Sequence, residues 1–259
     1  VDAIFGYAEI RNFVEATEVL QDKVMVFVNQ VGEIVHGIVN EWQGAPNKNL
    51  GDAFLLVWPL QTLESHDSRT KMADMALLGF VKTVAAINKS CLLAEYRTHP
   101  GLRQRMPDFR VRLGFGMHLG WAIEGAIGSE FKIDASYLSP NVNLAEQVSI
   151  ATKIYDAQIL LSEKLVDQLS EEMYGECRII DYVHLRGSKD PMRLYAFDLV
   201  PTVIEVEDPP PPLPRKHQWK EEMRLKYERQ LSKKTIWDSD RIIIHDLFME
   251  DEDIVRMRE

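Results

Sequence analysis

Residues 47–58 read NKNLGDAFLLVW, which is typical of a turn followed by a strand. Gly51-Asp52 marks a tight corner, and the run from Phe54 to Trp58 is apolar enough for a strand that is buried on both faces. A carboxylate at such a corner has a fixed backbone and an exposed tip, as a metal ligand requires, and Lys48 could face the same cleft. The alternative is a β-hairpin in which Asp52 only stabilises its own turn.

The composition is that of an ordinary soluble globular protein. The 259 residues are 46% hydrophobic and 27% charged. A net charge of −10 argues against a nucleic acid partner, because the phosphates would be repelled. Two widely separated cysteines, Cys91 and Cys177, indicate a reducing intracellular compartment.

No apolar run approaches the roughly 18 residues that span a bilayer. The chain has no initiator Met and no signal peptide, and it starts at Val1 inside an apolar strand and stops at Glu259 in charged sequence, so we expect a fragment of a larger protein, whose membrane segments could lie outside the chain.

Hydrophobic periodicity predicts strands and helices that alternate along the chain, which indicates the α/β or α+β class. The helices are predicted at 17–39, 69–95, 141–152 and 164–171, and the strands at 1–8, 54–58, 109–118, 159–162, 179–185 and 194–199. The strand at 109–118 alternates between apolar and polar residues, so we expect it to be half-buried. Residues 98–108 contain two prolines and a glycine and are predicted to form a loop.

The chain divides into three predicted segments. A globular domain covers residues 1–201, and a stiff linker at 202–214 contains five prolines. A highly charged helical extension follows at 215–259. It is either a solvated tail or a docking element for an assembly partner.

Four stretches together resemble the class III nucleotidyl cyclase catalytic domain, and they occur in that family's order. They are IFGYAEIRNF at 4–13, NKNLGDAF at 47–54, GMHLG at 116–120 and FKIDASYLSPNVN at 131–143. The last resembles most closely the adenylyl cyclases of ciliates and other protists. The resemblance covers about residues 3–200 and implies an α+β fold with a ferredoxin-like βαββαβ core.

The resemblance implies conversion of ATP to cyclic AMP and pyrophosphate with two Mg²⁺ or Mn²⁺ ions held by two carboxylates. Glu9 and Asp52 match the metal-binding positions, together with the backbone carbonyl of Ile10. The family normally has Asp at the first position. Glu moves the carboxylate by about 1.5 Å, the length of one C–C bond. Mg²⁺ requires stricter geometry than Mn²⁺, so the change should affect Mg²⁺ more.

The resemblance implies that Lys48 and Ser136 recognise the purine. Lys48 matches the lysine that goes with adenine in this family, and its alternative is a solvated turn lysine. Ser136 matches a position where many adenylyl members have Asp, and its hydroxyl could accept a hydrogen bond from the adenine amino group. Asp134 is the alternative if the register differs by two residues, unless it only caps a loop. These residues favour ATP over GTP.

Ribose and phosphate recognition falls on three further positions. Asn143 matches the asparagine that orients the ribose, although it could instead cap a helix. Gln147 stands where the family has an arginine that stabilises charge on the phosphates, and loss of such a group commonly costs several kcal/mol. The adjacent Glu146 adds negative charge. Arg186 matches a cation that neutralises the triphosphate, or it is a surface cation of a hairpin.

Substrate sites of this family lie at a dimer interface and combine residues of two subunits, which leaves two hypotheses. The chain is an adenylyl cyclase, weak alone or completed in a homodimer or heterodimer, or it is a pseudo-cyclase that dimerises as a scaffold without turnover. The sequence contains no Walker loop or kinase signature, which excludes those enzyme classes. We expect an intracellular location, either free or as the cytoplasmic part of a membrane or ciliary protein.

Overall fold

The computed structural model describes residues 1–60 and 65–199. The predicted linker at 202–214 and the predicted extension at 215–259 lie outside the described residues. The strands are β1 Asp2–Ile10, β2 Ala45–Asn49, β3 Ala53–Pro59, β4 Leu113–Trp121, β5 Ile123–Ser129, β6 Lys132–Leu138, β7 Ile159–Ser162, β8 Cys177–Val183 and β9 Met192–Phe197. The helices are α1 Phe13–Leu20, α2 Val24–Glu41, α3 His66–Lys89, α4 Cys91–Thr98, α5 Pro100–Arg105, α6 Pro140–Ile154, α7 Glu163–Val166 and α8 Glu171–Gly175.

A mostly antiparallel sheet forms the centre of the domain, as expected for the predicted α+β class. Its strand order is β2-β3-β1-β4-β7-β9-β8, and β4 and β7 run parallel. Alternation along β1 supplies two cores. Ile4 and Ala8 pack with α2 and α3, whereas Phe5 and Tyr7 pack with α6 on the opposite face. Strands β5 and β6 form a separate hairpin.

Residues 47–58 form most of a hairpin rather than a turn and a single strand. Strands β2 and β3 pair on either side of Gly51, whose φ of 87° lies in the left-handed region that glycine favours. The backbone N–H of Leu50 donates to the carbonyl of Ala53 at 2.7 Å and closes the turn. Residues 54–58 of β3 are buried, as predicted for this apolar run. The corner therefore has a rigid backbone at Asp52.

Strand β4 departs from its prediction, because it begins at Leu113 and is buried on both faces over its first six residues. Helix α6 lies directly on the glycines of this strand. A Cβ at Gly116 would collide with the backbone of Ser149, and one at Gly120 with the side chain of Asn141. The absence of these side chains lets α6 approach the sheet closely, so the face that was predicted to be exposed is covered.

Two predicted long helices are each interrupted by a local change of backbone direction. The helix predicted at 17–39 breaks at Gln21, whose φ of 50° is left-handed. The helix predicted at 69–95 breaks at Ser90, whose hydroxyl accepts from the N–H of Leu93 at 3.3 Å and starts α4. No single described helix qualifies as a membrane span, although α3 and α4, bent by 56°, pass that test together.

The region predicted as a loop at 98–108 contains α5. Pro100 occupies the first turn, where its missing N–H costs nothing, and the His99 ring accepts from the N–H of Leu102 at 3.3 Å. Proline thus starts a helix here instead of preventing one. The helix predicted at 164–171 is divided between α7 and α8, because Ser170 has extended backbone and caps α8.

Candidate functional site

Glu9 and Asp52, the two predicted metal carboxylates, lie at neighbouring strand ends. Glu9 is near the end of β1, opposite Ala53 in the register of β1 and β3. The N–H of Ile10 donates to the carbonyl of Asp52 at 2.8 Å, which fixes the backbones of both positions relative to each other. The structure therefore brings together residues 43 positions apart in the chain.

Glu9 already has a cationic partner in the structure. Its side chain is 14% exposed and forms an ion pair with the ammonium group of Lys153, which lies in the last turn of α6. The guanidinium of Arg11, a second nearby cation, donates to the carbonyl of Ala157 at 3.1 Å. Burial lowers the pKa of Arg11, and the negative charge of Glu9 opposes that effect. The carboxylate thus interacts with two cations of its own chain.

The donor set suits a hard divalent ion in type but is incomplete. Carboxylate and carbonyl oxygens are the ligands that Mg²⁺ and Mn²⁺ prefer, and Mg²⁺ commonly uses one or two carboxylates together with water and substrate phosphates. Glu9 and Asp52 provide that number. No cluster of three or more His, Cys, Asp or Glu side chains that could hold a metal occurs within residues 1–60 and 65–199. A metal here would need oxygen ligands from water or substrate.

Lys48 and Ser136, the predicted purine-binding residues, lie on adjacent structural elements. Lys48 follows an irregularity in β2, and the neighbouring Asn47 amide donates to the carbonyl of Ala135 at 3.3 Å. Ser136 is 2% exposed, and its hydroxyl has no hydrogen-bond partner. Asp134, the alternative, is 51% exposed and pairs with Lys132 at 3.0 Å. The contact between β2 and β6 therefore joins the two strands that carry the half-buried Lys48 and the unpartnered hydroxyl of Ser136.

Asn143 and Gln147 lie one turn apart on α6, so their side chains share a face of the helix. Asn143 is exposed and Gln147 is half-buried. Asn143 does not cap the helix, because the cap is Ser139, whose hydroxyl accepts from the N–H of Asn141 at 3.1 Å. Burial, with a contribution from Glu146, raises the pKa of Tyr7 to about 12. This coupling places the charge of Glu146 near β1, beneath the helix.

A buried histidine that the sequence did not single out fixes the start of α6. His118 is fully buried in β4 and bonds to Ser162 at 2.8 Å and to Asn141 at 3.2 Å. The Asn141 amide nitrogen donates to the carbonyl of Trp121 at 2.9 Å, so its oxygen accepts from Nε2–H of His118. Ser162 then donates to Nδ1. This network holds the helix that carries Asn143 and Gln147.

We expect His118 to make stability depend on pH. Burial lowers its pKa to about 4, whereas an unfolded histidine titrates near 6.5. Between these values the unfolded chain binds the proton and the native chain does not, so stability falls as the pH drops through this window. The expected loss is about 2 kcal/mol between about pH 8 and pH 5, measured by urea unfolding. His118→Gln should lack this component, and an equal loss in both chains would contradict the assignment.

Arg186 lies far from the two carboxylates. It is exposed in the loop between β8 and β9. The register places that loop beyond the pairs Val183–Met192 and Ser162–Leu194, towards the far end of β4 from Gly114. Glu9 pairs with Gly114 at the near end. A single chain therefore does not bring Arg186 to Glu9 and Asp52.

Asn143, the predicted ribose-binding residue, is also separated from the carboxylates of Glu9 and Asp52, in this case by the length of α6. Its first turn is tied to the carbonyl of Trp121 through Asn141, whereas Lys153 in its last turn contacts Glu9. Ten residues of helix between Asn143 and Lys153 correspond to about 15 Å along the axis. Asn143 and Glu9 thus lie towards opposite ends of α6 within one chain.

Comparison with known proteins supports the predicted family. The chain is 25% identical over 191 residues to an adenylate cyclase of Anabaena cylindrica, a match that covers 73% of this chain and 35% of that protein. It thus spans about a third of that relative. No family model matches the chain.

Solved structures show the same fold. A bacterial light-regulated adenylyl cyclase aligns with a TM-score of 0.62 at 18% identity, over 76% of this chain and 52% of that one. The guanylate cyclase domain from Catenaria anguillulae, in complex with GTP, aligns with a TM-score of 0.56 at 16% identity, over 76% and 97%. The chain is thus similar in sequence to an adenylate cyclase and shares the fold of solved adenylyl and guanylyl cyclase catalytic domains.

Proposed function

We propose that the chain is an adenylyl-type cyclase domain of low intrinsic activity, which converts ATP to cyclic AMP and pyrophosphate at a site shared with a second cyclase domain. The placement of Glu9 and Asp52 at adjacent strand ends is the observation that carries this proposal. Two oxygen-ligand side chains on a rigid backbone suit binding of a nucleotide with divalent cations.

The metal half of the site would consist of Glu9, Asp52 and the backbone carbonyl of Ile10. When bound, two Mg²⁺ or Mn²⁺ ions would make the ribose 3′-hydroxyl a better nucleophile and offset the charge of the departing pyrophosphate. The chain's own contribution is to position the two carboxylates. The hydrogen bond from Ile10 to Asp52 and the pairing of β1 with β3 fix the backbones of these two residues.

The nucleotide half would consist of the residues around β2, β6 and α6. A buried hydroxyl without a partner is costly, so a ligand that donates to Ser136 would be favoured there. The adenine amino group is such a donor. Asp134 is already paired with Lys132, which favours Ser136. Asn143 would orient the ribose, and Arg186 would neutralise the triphosphate.

The distribution of these groups supports a site between two domains. Metal and ribose positions lie at opposite ends of α6, so a substrate of nucleotide size would draw each half from a different copy. The β5–β6 hairpin also exposes apolar side chains that a partner would cover. These residues are Ile123, Ile127, Phe131, Ile133 and Leu138, together with Trp121 at the end of β4. Phe131, at 96% exposure, is the most exposed of them. The partner is a second copy or a related cyclase domain.

A catalytically weak or inactive pseudo-cyclase is the second candidate function, and two observations favour it. Gln147 lacks the positive charge that the family uses at the phosphates. Lys153 forms an ion pair with the carboxylate of Glu9, which is a proposed metal ligand. In that case the fold would serve as a dimerisation module of a larger assembly. The two functions differ in turnover, which makes turnover the test.

The test is cyclic nucleotide formation by the purified 259-residue chain, with ATP or GTP and with Mn²⁺ or Mg²⁺. We expect cyclic AMP in preference to cyclic GMP, and more product with Mn²⁺, because Mn²⁺ tolerates the longer Glu9 side chain better. Product must scale with protein in successive column fractions. Absence of product under all four conditions, also when a related cyclase domain is added, would support the scaffold function instead.

A further inference from the structure

We propose that Lys153 is the resident cation of the metal half of the site and competes with a divalent ion for Glu9. The proposal rests on the assignment of Glu9 as a metal ligand and adds a residue that controls access to it. The observation is the ion pair between the Lys153 ammonium group and Glu9, which joins the end of α6 to the end of β1.

The environment of the pair distinguishes it from an ordinary surface ion pair. The Glu9 side chain is 14% exposed, so water screens its charge poorly and the attraction of a nearby cation is stronger. The pair between Lys71 and Asp67 on α3 is different, because its carboxylate side chain is 76% exposed. Such exposed pairs contribute little to stability. Glu9 therefore gains more from its lysine than Asp67 does.

Close packing at Gly114 brings Lys153 within reach of Glu9. Gly114 pairs with Glu9 across β1 and β4, and a Cβ at this glycine would contact the side chains of Thr152 and Arg11. The absence of that side chain leaves room for the end of α6 beside β1. Lys153 and Arg11 thus both lie close to the one carboxylate, and a divalent ion approaching Glu9 meets two positive charges.

Lys153 does not replace the arginine missing at position 147. Six residues of helix rotate a side chain by about 240° and move it about 9 Å along the axis, so the two positions face different directions. Lys153 contacts the metal half of its own chain, whereas Gln147 belongs to the nucleotide half. Its flexible side chain is 46% exposed, which allows it to leave Glu9 when an ion binds.

Mn²⁺ binding without nucleotide tests this competition independently of turnover. The loss of the free Mn²⁺ electron paramagnetic resonance signal on titration gives the affinity of the full chain. Lys153→Met removes the charge and keeps the length of the side chain, and we expect about fivefold tighter binding, as the loss of a competing pair of about 1 kcal/mol predicts. Lys153→Gln is the second variant, and circular dichroism checks the fold of both.

Two controls make the result specific. Lys71→Met removes the same charge from the exposed pair on α3, so it should bind Mn²⁺ as the native chain does. The double variant Glu9→Gln, Lys153→Met should lose the tighter Mn²⁺ binding, because the carboxylate that Lys153→Met frees is absent from it. Equal or weaker binding by both Lys153 variants, a gain that survives Glu9→Gln, or no binding by any variant at millimolar Mn²⁺ would overturn the proposal. Cyclic AMP formation with unchanged Mn²⁺ affinity would overturn it while leaving the proposed function intact.

Discussion

Replacing Gln147 with arginine is expected to raise the rate of cyclic AMP formation by about 100-fold. Removal of a single group that stabilises transition-state charge commonly costs a factor of 10²–10³, and Gln147→Arg restores such a group. The position suits the change, because Gln147 is half-buried one helical turn beyond the exposed Asn143. An arginine there would extend along the face of α6 that we assign to the nucleotide. The measurement is the initial rate with saturating ATP and Mn²⁺.

A second arginine substitution controls for the added charge. Gln104 is exposed on α5, away from α6, so Gln104→Arg adds the same charge without approaching the proposed nucleotide. We expect no gain in rate from it. An equal rate for native and Gln147→Arg chains, with both folded, would show that the missing cation does not limit the reaction.

Replacing Asp52 with asparagine is expected to reduce cyclic AMP formation by at least about 100-fold, since the amide loses the charge that would hold a divalent ion. The fold should survive, because the contact that Asp52 makes with Ile10 uses its backbone carbonyl and not its side chain. The initial rate and the melting temperature of the same preparation separate the two effects.

Asp67→Asn is the matched control, because Asp67 is an exposed carboxylate that pairs only with a surface lysine as far as the described contacts show. Its rate should equal that of the native chain. If Asp52→Asn retained the native rate, Asp52 would serve only its own turn, which is the alternative that residues 47–58 left open.

Local patterns were sufficient where a segment determines its own structure. The strand predicted at 159–162 matches β7, and the helix predicted at 141–152 lies within α6 Pro140–Ile154. Periodicity did not show where helices break. The break at Gln21 results from one left-handed backbone angle, and the break at Ser90 coincides with one capping hydroxyl. The loop predicted at 98–108 was wrong over α5, because a proline in the first turn of a helix is compatible with that helix.

The candidate site was likewise predictable from the sequence only in part. Motif order indicated Glu9, Asp52, Lys48, Ser136 and Asn143, and the structure places Asn143 towards the opposite end of α6 from Glu9. The Glu9–Lys153 pair joins residues 144 positions apart, so no local spacing predicts it. His118 gave only a weak signal, a single histidine within an apolar strand, and its role depends on Ser162 and Asn141 from other elements.

Mixing two inactive variants tests most directly whether the active site is shared between two copies. Asp52→Asn disables the metal half and Asn143→Ala the nucleotide half, so each chain alone should form little cyclic AMP. In mixed dimers one of the two sites combines intact halves, and an equimolar mixture should recover about a quarter of the native rate. Recovery to this level is the predicted result. A mixture no more active than its components, while the native chain turns over and the variants exchange subunits, would contradict a shared site.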